Sequence, residues 1–377
     1  MRVLLDVSAV PELLTGAGVY TTELVRALAA RDDLELVLAA RRGDSSRWHQ
    51  LAPTADVQAV VARSRPARLV WEQWSGPRLA RRLKVDLWHG PHYTMPIRLA
   101  VPAVVTVHDL TFFDHPEWHE RWKVLFFRRA IVASARRAAV VVCNSEATAA
   151  RLAEVAPPRG EVVVAHLGID HGRFRPQADD DDRARLAALG IVGPYVAFVG
   201  TIEPRKNIPG LVAAFAAVAT ERPDLTLVLA GRPGWGSSEV DAAVSASPVA
   251  HRIVRTGYLP AEALPALFRH ADAVVYPSFE EGFGIPPVEA VACGAPVVTT
   301  AAVPTAAMGS DALVVVATGT PEALAEGMRR ALDPAVAARL REAGPEFAAR
   351  FSWTEAAETH VAAYRAAAAL GAAPSGR

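Results

Sequence analysis

No stretch of this 377-residue chain stays apolar for the roughly 18 consecutive residues that a membrane-spanning helix needs. The chain opens Met1-Arg2 and runs straight into VLLDV, which is strand-like and too short for the apolar core of a signal peptide. Cysteine is scarce: Cys143 and Cys293 stand far apart, each in apolar surroundings. That excludes a disulfide framework and points to buried thiols in a reducing compartment. Neither sign of charge is in excess, since Lys plus Arg and Asp plus Glu both number 40. The basic stripe or tail of a nucleic-acid binder is missing, so no nucleic acid is expected as a partner. A soluble cytoplasmic protein is the expectation, with peripheral contact at the inner membrane face left open.

What is present is apolar residue in quantity, 51% of the chain, and a length of about two domains. The apolar runs are short and alternate with helical patterns. Val3–Val7, Leu34–Ala40, Asp86–Gly90, Val101–Val107, Val140–Cys143 and Val162–Ala165 read as strands of a first half. Tyr195–Gly200, Leu225–Ala230, Ile253–Gly257, Val274–Tyr276 and Pro296–Thr300 read as strands of a second. Alternation of this kind argues two doubly wound α/β domains, with ligands expected outside the carboxyl ends of the strands. Arg41–Arg68 is polar and reads as an irregular, solvated loop that includes Trp48. Residues 69–83 read as a helix in which Trp71 and Trp74 pack. The run 120–138 reads as a long helix, basic on one side, whose face could meet acidic lipid head groups or simply be solvated surface.

The stretch 274–300, VVYPSFEEGFGIPPVEAVACGAPVVTT, concentrates the chemistry. A strand ends at Pro277, a loop holds two glycines, and Pro286-Pro287 suit the first turn of a helix that Gly294 closes. Gly282 and Gly284 let the backbone approach a ligand, and the amides of Phe283 to Ile285 are expected to face an anion. Glu281 in the loop and Glu289 in the helix can accept hydrogen bonds from sugar hydroxyls. Earlier in the chain, Gly16 and Gly18 sit in another strand–loop–helix turn. His108-Asp109 follows a strongly apolar strand, and Asn144-Ser145 stands where a helix cap is expected. Arg205 and Lys206 lie just before a helix, placed to meet a diphosphate.

Glu-Gly-Phe-Gly, a second Glu eight positions after the first, and Ala-Cys-Gly-Ala-Pro-Val-Val together resemble the signature of the family-four retaining glycosyltransferases of GT-B fold. The resemblance spans nearly the whole chain. It implies an α/β architecture of two Rossmann-like domains facing a cleft. Residues 1–172 would form the acceptor-side domain, 173–192 a linker, 193–351 the nucleotide-sugar domain, and 352–377 a helix crossing back to the first domain. It also implies metal-independent, retaining transfer of a hexosyl group to a glycan or lipid-linked acceptor, without a cofactor. The Glu-Pro-Arg-Lys-Asn segment looks most like mannosyltransferases that use GDP-mannose. A UDP- or dTDP-sugar donor is the alternative, and an epimerase or an inactive partner in a glycan-assembly complex are alternatives of another class. By residue, the resemblance implies that Glu281 holds the sugar and Glu289 the ribose. Arg205, Lys206 and the Gly16/Gly18 loop would stabilise the diphosphate, with Thr201, Gly282, Phe283, Gly284 and Ile285 lining the donor. His108 would orient the sugar or the acceptor hydroxyl, with Asp109 and Ser145 nearby. Two departures stand out: Thr201 replaces an Arg that many members carry after the Gly, and Val303-Pro304-Thr305 lacks the usual Pro-Glu. Asp179–Asp182 formally contains an Asp-x-Asp triplet but precedes a helical run, so it reads as favouring the helix's positive end rather than as a metal site.

Overall fold

The computed structural model describes residues 1–309 and 311–372, and the side chains of residues up to 370. The chain divides into two compact units: Met1–Gly168 with the segment from Trp353, and Ile169–Ser352. Residues 173–192, expected as a linker, fall inside the second unit, where the helix Asp182–Ala188 packs on the helix Ala263–Arg269.

The first unit is built on seven strands: β1 (Arg2–Asp6), β2 (Glu35–Arg41), β3 (Asp56–Val61), β4 (Leu87–Gly90), β5 (Ala103–Val107), β6 (Val140–Cys143) and β7 (Glu161–Val164). All pair in parallel, in the order β3-β2-β1-β4-β5-β6-β7. The second unit has six: β8 (Tyr195–Val199), β9 (Thr226–Ala230), β10 (Ile253–Gly257), β11 (Ala273–Tyr276), β12 (Val297–Thr300) and β13 (Val314–Val316). Their order is β10-β9-β8-β11-β12-β13, again all parallel. Each sheet reverses its strand order once, at β1/β4 and at β8/β11, which makes both units doubly wound. Central strands such as AVVTV in β5 and AVVY in β11 are buried throughout, as parallel strands covered on both faces must be. This is the GT-B architecture of two Rossmann-like domains.

Three readings need correcting. Residues 41–68 are not an irregular loop. They form the helix Ser45–Leu51 and the edge strand β3, and Trp48 is fully buried. β3 is only half covered, and its sequence, DVQAVV, accordingly mixes polar with apolar residues. The helix expected over 69–83 is two, Arg65–Trp74 and Gly76–Arg82, because Pro77 cannot continue a hydrogen-bond ladder and suits a new first turn. Trp71 packs near Trp88, with ring centroids 6.3 Å apart, but Trp74 is 65% exposed.

The terminal helix, Trp353–Ala372, joins the first unit through a buried polar chain whose proton directions can be assigned from one end. His360 Nδ1 faces the Ala356 carbonyl at 2.6 Å and must donate to it. Its Nε2 therefore accepts from the Tyr20 hydroxyl at 2.8 Å. Tyr20 in turn accepts from Thr106 Oγ1 at 2.8 Å, and Thr106 from His89 Nε2 at 2.9 Å. The remaining His89 nitrogen, Nδ1, accepts from the Tyr364 hydroxyl at 2.7 Å. Every link is satisfied only while both imidazoles are neutral. Burial enforces this, bringing His360 down to about 4 and His89 well below the usual range.

Candidate active site

The loops after β8 and β11 leave adjacent strands at the point where the second sheet reverses its order, the position at which doubly wound sheets bind ligands. After β8 the chain passes Gly200-Thr201-Ile202-Glu203, makes a short 3-10 turn over Pro204–Lys206, and enters the helix Ile208–Ala219 through Asn207. Asn207 is left-handed, with φ 52°, a conformation Asn tolerates better than most residues. Its Nδ2 donates to the carbonyls of Pro277, at 3.2 Å, and Gly319, at 2.7 Å. The Phe279 amide donates to the Arg205 carbonyl at 2.9 Å. The two loops are thus stitched together through the backbone before any charge is considered.

The charges then meet. Arg205 Nη1 and Lys206 Nζ both donate to the Glu281 carboxylate, and Ser278 Oγ donates to it at 2.7 Å. Arg205 Nε also bonds Glu203 at 2.5 Å. Lys206 is buried, and its Nζ donates to the Tyr276 hydroxyl at 2.5 Å. Burial alone would raise the Glu281 carboxyl. The charges of Arg205 and Lys206, with the hydrogen bonds from Lys206 and Ser278, outweigh it and hold the group at about 2. Glu281 is therefore ionised and acceptor-only near neutral pH. Burial, then the neighbouring Arg205 charge, pulls the Lys206 ammonium below its usual range.

The helix that follows is Ile285–Ala292, entered through Gly284 at φ 102°. A Cβ there would come within 2.5 Å of Val303 Cγ1, so only glycine fits both the space and the backbone. Of the first three helical residues only Ile285 carries an N–H, because Pro286 and Pro287 have none. Glu289 is buried in this helix. Phe283 is buried and edge-on to Phe351, with centroids 5.6 Å apart, so its side chain serves the core. Gly282 is half-buried between Glu281 and Phe283. Thr201 follows Gly200 and packs so tightly on Gly234 that a Cβ there would lie 2.8 Å from Thr201 Cγ2.

The first unit assembles a second, uncharged group. His108, just past β5, has both ring nitrogens engaged. Nε2 faces the Pro91 carbonyl at 2.8 Å and must carry the proton, so Nδ1 accepts from Asn144 Nδ2 at 2.8 Å. Burial lowers its pKa and keeps the ring neutral. The donor that sequence reasoning assigned to a substrate is thus committed to a carbonyl of its own chain. Asn144 Oδ1 is buried with no hydrogen-bond partner among the described residues. Asp109 accepts from Thr111 Oγ1 at 2.9 Å, closing a local turn. Ser145 is fully buried and caps the helix Glu146–Val155 by accepting from the Thr148 amide at 3.2 Å. Gly16, at φ 39°, is the cap of the helix Ala17–Ala29, and Gly18 lies in its first turn.

Sequence reasoning missed Tyr276, Ser278, Asn207 and Asn144 as partners of the charged and imidazole groups. The signal for the first two was their place at the end of β11; the others show no signal but proximity to Lys206 and to a strand end. Thr305 is a further miss: it stands where the usual Glu is absent, and its buried hydroxyl has no partner among the described residues. Asp182 does not serve a helix end alone. It takes a bidentate bond from buried Arg269, with Nε and Nη2 each 2.7 Å from its oxygens.

With this geometry in hand, comparison with known proteins is informative. The family model described as Glycosyltransferase Family 4 matches residues 14–173, and Glycosyl transferases group 1 matches 191–347. The O-antigen chain mannosyltransferase B of Escherichia coli is 31% identical over 79% of this chain and 82% of its own. The D-inositol 3-phosphate glycosyltransferase of Salinispora arenicola is 31% identical over 90% of this chain and 84% of its own. Among solved structures, a sucrose-phosphate synthase from Thermosynechococcus elongatus superposes with a TM-score of 0.78 at 21% identity, covering 97% of this chain and 98% of that one. HepE of Anabaena, solved with UDP-glucose, gives 0.77 at 19% identity, covering 97% and 99%. The chain belongs to the family 4 glycosyltransferases of GT-B fold.

Proposed function

We propose that this glycosyltransferase moves a mannosyl group from GDP-mannose to a glycan or lipid-linked acceptor, with retention of anomeric configuration and no metal. One observation carries the reading: an ionised carboxylate, Glu281, held between Arg205 and Lys206 at the β8/β11 reversal. A departing nucleoside diphosphate carries about two negative charges, which fixed cations can stabilise. Lys206 has three N–H donors; two are aimed at Tyr276 and Glu281, and the third is left for a phosphate oxygen. Arg205 offers a planar fork that would replace, from a shifted position, the Arg whose place Thr201 takes. Glu281 and Glu289 accept from sugar and ribose hydroxyls. Thr201, Gly282, Gly284 and Ile285 bring backbone close to the donor. His108, with Asp109 and Ser145, organises the acceptor side. The leaving phosphate takes the acceptor hydroxyl's proton on the face it vacates.

The name of the Escherichia coli relative supports mannose as the sugar. A UDP-sugar donor is the second reading, favoured by the UDP-glucose held by the Anabaena neighbour. Thermal-shift binding against GDP, UDP, ADP and dTDP, with a chelator present, separates them. A shift with GDP alone is expected. A shift with UDP or dTDP alone transfers the proposal to the second reading, and no shift with any of them overturns both.

A further inference from the structure

Beside His108 stands a residue to which the proposed transfer gives no part, Asn144. β5 and β6 pair with Val107 opposite Cys143, so the residues one past each strand end, His108 and Asn144, lie side by side. Both are buried. The imidazole has little freedom to turn, because its ring lies among those of Tyr20, Tyr93 and His92, with centroids 4.9, 5.5 and 5.6 Å away. The carbonyl facing its Nε2 belongs to Pro91, in a loop that is itself pinned. A Cβ on Gly90 would lie 2.1 Å from the Thr94 carbonyl oxygen. Tyr93 is left-handed, at φ 61°, and its amide donates to the Thr106 carbonyl at 2.9 Å. The Thr94 amide donates to the His92 carbonyl at 2.7 Å.

With Nε2 committed to Pro91, Nδ1 is the one nitrogen of His108 that can take up a proton. Asn144 Nδ2 donates to it at 2.8 Å. An amide can face a ring either way, and here the ring decides: the reverse orientation would set Oδ1 against the Nδ1 lone pair. The orientation adopted leaves Asn144 Oδ1 buried without a partner among the described residues. Turning the amide would only pass that fault to Nδ2. Charging the ring therefore needs a proton and a reversed amide together, inside a buried site.

The groups around His108 also oppose charge on balance. His89, His92 and His360 are buried imidazoles that disfavour a second cation beside them. Arg68 adds its charge against His92. Tyr20 is held protonated by burial and brings no negative charge. Asp109 is the carboxylate that favours a proton on His108, and burial outweighs it.

We infer that Asn144 is a positioning residue: it occupies the basic nitrogen of His108, holds the ring as the neutral Nε2–H tautomer, and so denies it the proton of the acceptor hydroxyl. His108 then shapes the acceptor side without acting as a base, and that proton is left to the departing phosphate. This functional half rests on the proposed place of His108 beside the acceptor; the tautomer does not.

The test is nitrogen-15 NMR of the full chain labelled on its histidines, which separates protonated from bare ring nitrogens, with His108 assigned by the signals lost in His108→Gln. Wild-type His108 is expected to show a protonated Nε2 and a bare Nδ1, without titrating between about pH 5 and 8. Asn144→Asp places an acceptor-only carboxylate on Nδ1 and should give a ring protonated on both nitrogens at neutral pH. In that variant kcat for nucleotide release should fall about ten- to a hundredfold at neutral pH, as when a histidine loses its orienting partner. It should recover as rising pH strips the ring of its extra proton, with KM for the donor unchanged. Asn144→Leu, which brings no charge, should lower kcat without adding a step to the pH profile. A proton on wild-type Nδ1 at neutral pH, a ring left neutral in Asn144→Asp, or identical pH profiles for that variant and the wild type would each overturn the inference. Should circular dichroism show both variants unfolded, the wild-type spectrum decides alone. Full turnover in His108→Gln, with the tautomer as expected, would instead overturn the acceptor-side reading of His108.

Discussion

The two units share a sheet order around the reversal point and differ in what they place beside it. In the first, strand ends and the terminal helix are joined by neutral groups: His108 to Pro91 and Asn144, and the chain from Tyr364 through His89, Thr106 and Tyr20 to His360. In the second, the joint is ionic: Arg205 and Lys206 on Glu281. Topology places groups at the strand ends without dictating their charge. The ionic set is the one on which the proposed diphosphate role rests. The neutral set is buried and bonded within itself, so it ties the terminal helix to the strands.

The comparison breaks first, and most visibly, at the ionic site. Arg205→Ala combined with Lys206→Ala should cost on the order of 10⁴ in turnover, measured as nucleotide release, since removing one such donor commonly costs 10²–10³. Full turnover in the double variant would sink the diphosphate role. Asp182→Ala removes the bidentate partner of buried Arg269 and leaves it only the more exposed Asp179, 3.2 Å from Nη2, so it should cost about 3 kcal/mol. In a chain of this size that appears as a melting point lower by roughly 10 °C; a loss of a degree or two would show that the pair is dispensable.

Acid sharpens the contrast, because the units should fail in different windows. His360 has a folded pKa of about 4 against an ordinary 6.5, so its contribution is full above 6.5 and is lost as pH falls toward 4. Glu281, at about 2 against 4.5, keeps its contribution down to about 4.5 and loses it toward 2. Each is worth on the order of 3 kcal/mol. Hydrogen exchange followed along a pH series should show the first unit opening before the second; simultaneous opening would contradict the assignment. The smallest effect is expected from Tyr20→Phe, which removes one link between Thr106 and His360. About 1–3 kcal/mol should be lost in a denaturant melt, and the acid window of the first unit should shift.

Much of this was legible in the residues. Strand, loop and helix follow in the expected order through 274–300, and the helix predicted from Pro286 begins one residue earlier, at Ile285. Arg205, Lys206 and Glu281 were singled out, and the fold brings them into contact. What escaped notice depends on distant partners. β3 and β13 are edge strands, each paired on one side only, against β2 and β12. Trp48 and Trp74 have the same local look, yet one is fully buried and the other mostly exposed. Tyr364 and His360 gave no signal, because their partners lie hundreds of residues earlier. His108 was identified by its strand end, but not the carbonyl that already holds its proton.

The second unit is inserted within the first, which is completed only by the helix from Trp353. On the ribosome, the seven strands of the first sheet emerge early, but Tyr20, His89 and Thr106 must wait for some 200 further residues before Tyr364 and His360 arrive. The domain begun first is thus finished last. The insert can complete its own core in the interval, while the first sheet depends on whatever shields its polar edge until synthesis ends.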